Sequence, residues 1–184
     1  MIVVGRSWLL RGGPVKTSFV SAELQKRVVA TFPMGPDSIH GPAHWARVLE
    51  NAFRIQAETG ADSRVLELFA LFHDSLREND QIDPNHGERG AHYARKLRQE
   101  GLFELEDEAF DLLVKACNTH TCGETDGDPT VITCWDADRL DLWRCGIRPD
   151  PARMCTQTAK RPDVIAWAMQ RSGGPPDGIV RDIG

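Results

Sequence analysis

Nowhere in its 184 residues does the chain hold an uninterrupted apolar stretch of the roughly 18 residues that a transmembrane helix requires. The opening segment, Met1 to Leu10, is apolar but carries Arg6. It has neither a long apolar centre nor a small-residue cleavage site, which argues against a signal peptide. Positive charge is in the minority. Lys and Arg number 22 against 27 Asp and Glu, for a net charge of −5. That balance disfavours general nucleic-acid binding, although a local basic pocket for one phosphate remains compatible with it. The cysteines are five, an odd number at irregular spacing. A disulfide framework fits poorly, and a reducing cytoplasm is the expected location. Internal repeats and low-complexity linkers are absent. Strand patterning is confined to Ile2–Val4 and Val15–Val20.

What the chain does have is helical period punctuated by Gly, Pro and Asp. Its length suits one domain with a real core. The expected architecture is an all-α, single-domain helical bundle over 21–172, with an N-terminal arm at 1–20 and a C-terminal tail at 173–184. Helices are expected over Ser21 to about Thr31 and from Gly41-Pro42 to about Glu58, the latter closed by Gly60. Asp62 is placed to cap a third helix, apolar almost all round, that ends at His73-Asp74. Such a helix belongs in the middle of a fold. Further helices are expected over His86–Glu100, Glu106–Thr119 and Thr130–Arg144, with two short ones near 150–158 and 162–172. Loops are expected at 77–85 and 122–129.

Several polar residues fall on apolar faces. On a helical wheel, Asp138 lies near the middle of a face formed by Val131, Cys134, Trp135, Leu142 and Cys145. A carboxylate there costs several kcal/mol unless something neutralises it. An arginine partner or a neighbouring helix to cap would suffice for a lone buried aspartate. Asp136 points to the far side and Asp141 lies at the margin. His73 and Asp74 end the most buried helix. His44 stands at the edge of the stripe Trp45, Val48, Leu49, Ala52 and Ile55. Each alone reads as a core histidine or a cap, but together with Asp138 they form a His/Asp set on three separate helices, a common way for bundles to build metal sites. His86 and His120 also face inward, and His92 faces out. Cys117, His120 and Cys122 match no usual zinc spacing, so the cysteines read as buried and inert. Asp126-Gly-Asp128 reads as a turn.

In their order and spacing, His40-Gly-Pro-Ala-His44, Leu71-Phe-His73-Asp74, His86-Gly-Glu-Arg-Gly90 and Asp136-Ala-Asp138-Arg-Leu-Asp141 resemble the HD-domain superfamily of metal-dependent phosphohydrolases, over about residues 38–145. The resemblance implies that His44, His73, Asp74 and Asp138 bind a catalytic divalent metal. Manganese, iron, magnesium, zinc and nickel are all compatible, with one or two ions per chain. His86 and His120 match positions that hold a second metal in binuclear branches such as cyclic-dinucleotide phosphodiesterases. In mononuclear branches that region faces the substrate phosphate. Nucleotidases and alarmone hydrolases of the superfamily carry an acidic residue three positions after the HD aspartate, where Arg77 stands here, followed by Glu78. Arg77 is then a phosphate ligand and Glu78 a catalytic acid beside Asp74. Arg139, next to the metal aspartate, is a second phosphate candidate.

The implied activity is a phosphomonoesterase or phosphodiesterase acting on a nucleotide or other small phosphate ester. In it the metal lowers the pKa of a water that attacks phosphorus. A diiron oxygenase-like protein and a metal-binding regulatory module of low turnover are the alternatives. The expected partner is a small-molecule phosphate. No membrane association is expected, and homo-oligomers are compatible.

Overall fold

A computed structural model of the chain describes residues 19–174, and among them the backbone forms eight α-helices and no strand. The proposed strand at Ile2–Val4 lies outside the described residues. So does most of Val15–Val20, whose last two residues form a bend. The arm and tail lie largely outside them too.

Local chemistry sets the helix ends. The side chains of Ser21 and Asp62 accept from backbone N–H groups to start α1 (Ala22–Thr31) and α3 (Ser63–Phe72). Proline at the first turn starts α2 (Pro42–Thr59), which stops at Gly60 in the left-handed conformation, φ 67°. Next come α4 (His86–Gln99) and α5 (Asp107–Thr119). Asp128 caps α6 (Pro129–Arg139), which also has proline in its first turn. The short α7 (Gln157–Lys160) and α8 (Pro162–Arg171) complete the set.

Helix α3 is buried along its length from Val65 to Phe72 and is packed by α1, α2, α4, α5 and α6. Even Glu67 is covered, and it accepts the backbone N–H groups of Phe19 and Val20 at 2.8 and 3.1 Å. Helix α2 lies along α6, where Asn51 Nδ2 donates to the carbonyl of Ala137 at 2.9 Å. A second apolar cluster, including Ile55, Leu140, Met154 and Ile165, fastens α8 to this pair.

Two expected boundaries are wrong. In place of a helix near 150–158 there is a 3-10 turn at Pro151–Arg153 and then α7, with Thr156 capping α7. Helix α6 ends at Arg139, not Arg144, and a separate 3-10 turn occupies Leu142–Cys145. The bonds tighten there: the N–H of Asp141 donates to the carbonyl of Asp138, and that of Arg144 to Asp141. Cys145 consequently leaves the buried face and is exposed, while Arg144 turns inward with its side chain 7% exposed.

Glycine decides how closely α4 approaches its neighbours. A Cβ on Gly87 would stand 2.1 Å from the carbonyl oxygen of Cys117, and one on Gly90 would stand 2.2 Å from that of Phe72. These contacts bring the start of α4 against the ends of α3 and α5, where His73, His86 and His120 stand.

Candidate metal centre

His44 enters from the first turn of α2, and His73 with Asp74 from just past α3. His86 opens α4, His120 follows α5, and Asp138 sits in the last turn of α6. All six are buried.

The hydrogen bonds fix the tautomers. His44 Nδ1 lies 2.7 Å from Asp141 Oδ2, and His73 Nδ1 lies 3.0 Å from the carbonyl oxygen of Phe69. Both partners can only accept, so both Nδ1 atoms carry the proton. The two Nε2 lone pairs then face each other at 3.0 Å. The second pair repeats this. His120 Nδ1 donates to the Cys117 carbonyl at 2.7 Å and His86 Nδ1 donates to that of Asp83, leaving the Nε2 atoms 2.8 Å apart. Facing lone pairs repel unless a cation lies between or beside them. Protons are poor candidates. Burial pushes His73 down to about 3 against the pull of Asp74 and Asp138, and burial together with His120 also lowers His86.

Asp74 stands between the pairs. Its Oδ2 is 3.5 and 3.8 Å from Nε2 of His44 and His73, and its Oδ1 is 3.2 and 3.9 Å from Nε2 of His86 and His120. Asp138 Oδ1 lies 3.4 and 3.9 Å from the first pair. Oδ1 of each aspartate is buried with no hydrogen-bond partner. Burial alone would raise both carboxyls. The hydrogen bond from His40 at Asp74 and the guanidinium of Arg144 beside Asp138 act against it, and both carboxyls are held well below the ordinary range. Two groups, His44–His73–Asp74 and Asp74–His86–His120, thus have the spacing and the nitrogen and oxygen donors of a divalent-metal site. The orphaned carboxylate oxygens and facing lone pairs are what such an ion would satisfy.

Three supporting residues were not assigned roles from the sequence. Asp141, marginal on the wheel, locks His44 and is itself held by Arg47 Nε and Nη2 at 2.7 and 3.0 Å. His40 donates Nδ1–H to Asp74 at 3.0 Å. It stands in the turn before Gly41, outside α2, and its place in the His40-Gly-Pro-Ala-His44 run was the available signal. Arg144 was hidden by the helix expected to run through it.

The cluster opens into a pocket of about 290 Å³ that also involves Arg77 and Arg144. Arg77, a phosphate candidate from the sequence, lines this pocket. Its Nε and Nη2 donate to the carbonyls of Asn79 and Gln81, and Nη1 lies 3.2 Å from His86 Nε2. Two other candidates do not reach the pocket. Arg139 is turned away, with Nη1 bonded to the Arg153 carbonyl at 2.9 Å and Nη2 to that of Glu124 at 2.6 Å. Adjacent helical positions diverge by about 100°, so a residue beside an inward aspartate faces elsewhere. Glu78 has a side chain 65% exposed and leans toward Arg89, so it is not placed as a catalytic acid. Of the cysteines near His120, Cys117 is buried as expected but Cys122 is exposed. Asp128 serves as the cap of α6.

The same arrangement of helices occurs in the crystal structure of a predicted HD-superfamily hydrolase from an uncultured Thermotogales bacterium. The match has a TM-score of 0.61 and 27% sequence identity, and it covers 80% of this chain and 84% of that one. No protein-family model and no curated protein matches the chain. The chain has the HD-domain fold, and its buried His/Asp groups fit an HD-type metal-dependent hydrolase.

Proposed function

We propose that the chain is a metal-dependent phosphohydrolase acting on a nucleotide or another small phosphate ester. The observation that carries this reading is the pair of facing imidazoles on each side of one buried, ionised Asp74. In this reading His44, His73, Asp74 and Asp138 hold one divalent ion. His86 and His120, with Asp74 shared between the groups, hold a second or face the phosphate. A divalent ion supplies Lewis acidity toward phosphoryl oxygens and a lowered pKa for water.

The chain's own residues do the rest. Asp141 keeps the proton of His44 on Nδ1, so Nε2 is always the coordinating atom. Arg77, fixed by two loop carbonyls, offers positive charge to the phosphoryl oxygens without having to reorganise. His40 donates its Nδ1–H to Asp74 and so helps to fix that carboxylate at the edge of the pocket.

The test is to strip the protein with chelator, return Mn, Fe, Mg, Zn or Ni singly, and assay p-nitrophenyl phosphate, bis-p-nitrophenyl phosphate and nucleotides anaerobically. Phosphate or nitrophenol release with at least one metal is expected. Silence with every metal, although the metal is bound, overturns the reading in favour of a regulatory module.

A further inference from the structure

Arg144 differs from the other arginines that anchor the fold. Arg47 is bidentate on Asp141, and Arg139 is bonded to two carbonyls. Arg144, with its side chain 7% exposed, has one protein hydrogen bond of ordinary geometry, from Nη1 to the Asp141 carbonyl at 3.2 Å. Its Nε is buried with no partner. Its Nη2 stands 3.5 Å from Asp138 Oδ1 and 3.9 Å from Asp74 Oδ2, outside good hydrogen-bond range. The 3.4 Å approach to His40 Nδ1 sets donor against donor, because that proton is given to Asp74.

A guanidinium has five N–H donors in a planar fork that matches phosphate. Leaving most of them unused in a buried position is costly unless a ligand takes them. The charge of Arg144 is now balanced by Asp138 and Asp74, which are placed to bind metal, and by Asp141, which is already taken by Arg47 and His44. Once the first two are engaged, the guanidinium is left facing the pocket without its own anion.

The rest of the pocket limits what that anion is attached to. Its described wall holds no lysine and no arginine beyond Arg77 and Arg144. Its more exposed lining is Thr121, Leu142, Cys145, Ile147 and the carboxylate of Asp80. Ile147 is 54% exposed, an apolar surface at the rim. A second or third phosphate would find one carboxylate, one hydroxyl and apolar side chains there, and no cation.

We propose that Arg144 binds the substrate phosphate opposite Arg77, and that the pocket selects esters carrying a single phosphate on an uncharged body over nucleoside di- and triphosphates. This inference rests on the phosphohydrolase reading. It names the anion anchor and the substrate class of that same site.

The experiment uses the metal-loaded full chain, with orthophosphate binding followed by calorimetry and metal content measured on each sample. Arg144→Gln is expected to weaken orthophosphate by about 10- to 100-fold, the range for losing hydrogen bonds from a charged group. Metal content should not fall, because the substitution removes a cation from beside the ligands. Arg144→Lys keeps the charge and loses the fork, so it should lie between, and it decides the matter if the glutamine variant does not fold. Arg139→Gln, away from the pocket, should leave phosphate affinity unchanged. Orthophosphate binding within twofold of wild type in the Arg144 variants overturns the anchor. On the wild type, kcat/KM for a nucleoside 5′-monophosphate should exceed that for the matching triphosphate at least tenfold, and the reverse order overturns the substrate class. If orthophosphate binding depends on Arg144 but no ester is turned over, the anchor stands and the hydrolase reading fails.

Discussion

Two aspartates on α6, Asp136 and Asp138, are both buried, yet one is finished and the other is not. Asp136 accepts the N–H of Cys155, the N–H of Thr156 and the hydroxyl of Thr156, all within 2.8–3.0 Å. Every lone pair it needs to share is shared, and the product is a tie between α6 and the start of α7. Asp138 has a bare Oδ1 and, as neighbours, imidazole nitrogens whose protons are spent elsewhere. Burial alone therefore does not mark a functional carboxylate. Burial with hydrogen-bonding capacity left over does, because the fold has borne a desolvation cost that only a ligand can offset.

The contrast is tested most severely at Asp138. Asp138→Asn is expected to lower kcat/KM about 1,000-fold and to weaken metal binding, while the metal-free protein keeps its melting temperature within about 4 °C. The first is read from kinetics and metal content, the second from calorimetry on the chelated protein. Asp136→Asn should do the opposite. An amide cannot accept from all these donors and sets its own N–H₂ against one of them, a loss of about 3 kcal/mol, or about 6–12 °C in melting temperature. Metal content and kcat of the folded fraction should stay within about twofold. If Asp136→Asn removes the metal, or Asp138→Asn unfolds the chain, the distinction between the two aspartates is wrong.

Asp141 sharpens the comparison because it is both satisfied and inside the site. It receives Arg47, the hydroxyl of Ser172 and His44. Asp141→Asn can flip the His44 tautomer, since an amide nitrogen facing Nδ1 demands a lone pair there. A 10- to 100-fold loss in metal affinity is expected, the size seen when an outer-shell partner of a metal-binding histidine is removed. Titration with a competing chelator measures it.

How much of this was legible in the sequence follows from the same physics. The helices and the inward direction of His44, His86, His120 and Asp138 could be read because they rest on period and burial, which repeat along a chain, while the gathering of these residues with His73 and Asp74 in one site was what the resemblance to HD-domain motifs implied. Asp138 was chosen over Asp136 by its direction on the helix, and it is the one that lies beside His44 and His73, though both proved to be buried. Arg139 was misplaced because adjacency in sequence was taken for adjacency in space. Arg144 and the true end of α6 were not legible, since the tightening at Asp138–Asp141 depends on Asp141 being drawn to His44 and Arg47, ninety-odd residues earlier. Glu78 failed for a similar reason. The loop that carries it is shaped by Asp83, which holds its N–H and pairs with Arg89.

The smallest effect bears on the premise beneath the contrast, that the site is unfinished because its imidazoles are neutral. His73 falls from an ordinary 6.5 to about 3, chiefly through burial. Between those values the unfolded chain binds a proton that the native chain refuses, so acid favours unfolding. The contribution of His73 is intact above about pH 6.5 and is lost progressively as pH falls toward 3, with a slope approaching 1.4 kcal/mol per pH unit. His86 is shifted the same way and adds to the slope. The depressed carboxyls of Asp74, Asp138 and Asp141 act in a lower window, their contribution being lost only below the ordinary carboxylate value of 3.8. Urea unfolding of the chelated protein at pH 7, 6 and 5 therefore isolates the histidines. A midpoint that falls at each step supports neutral, facing lone pairs. A flat profile would mean that the native site already holds protons, and the spare capacity assigned to a metal would be filled.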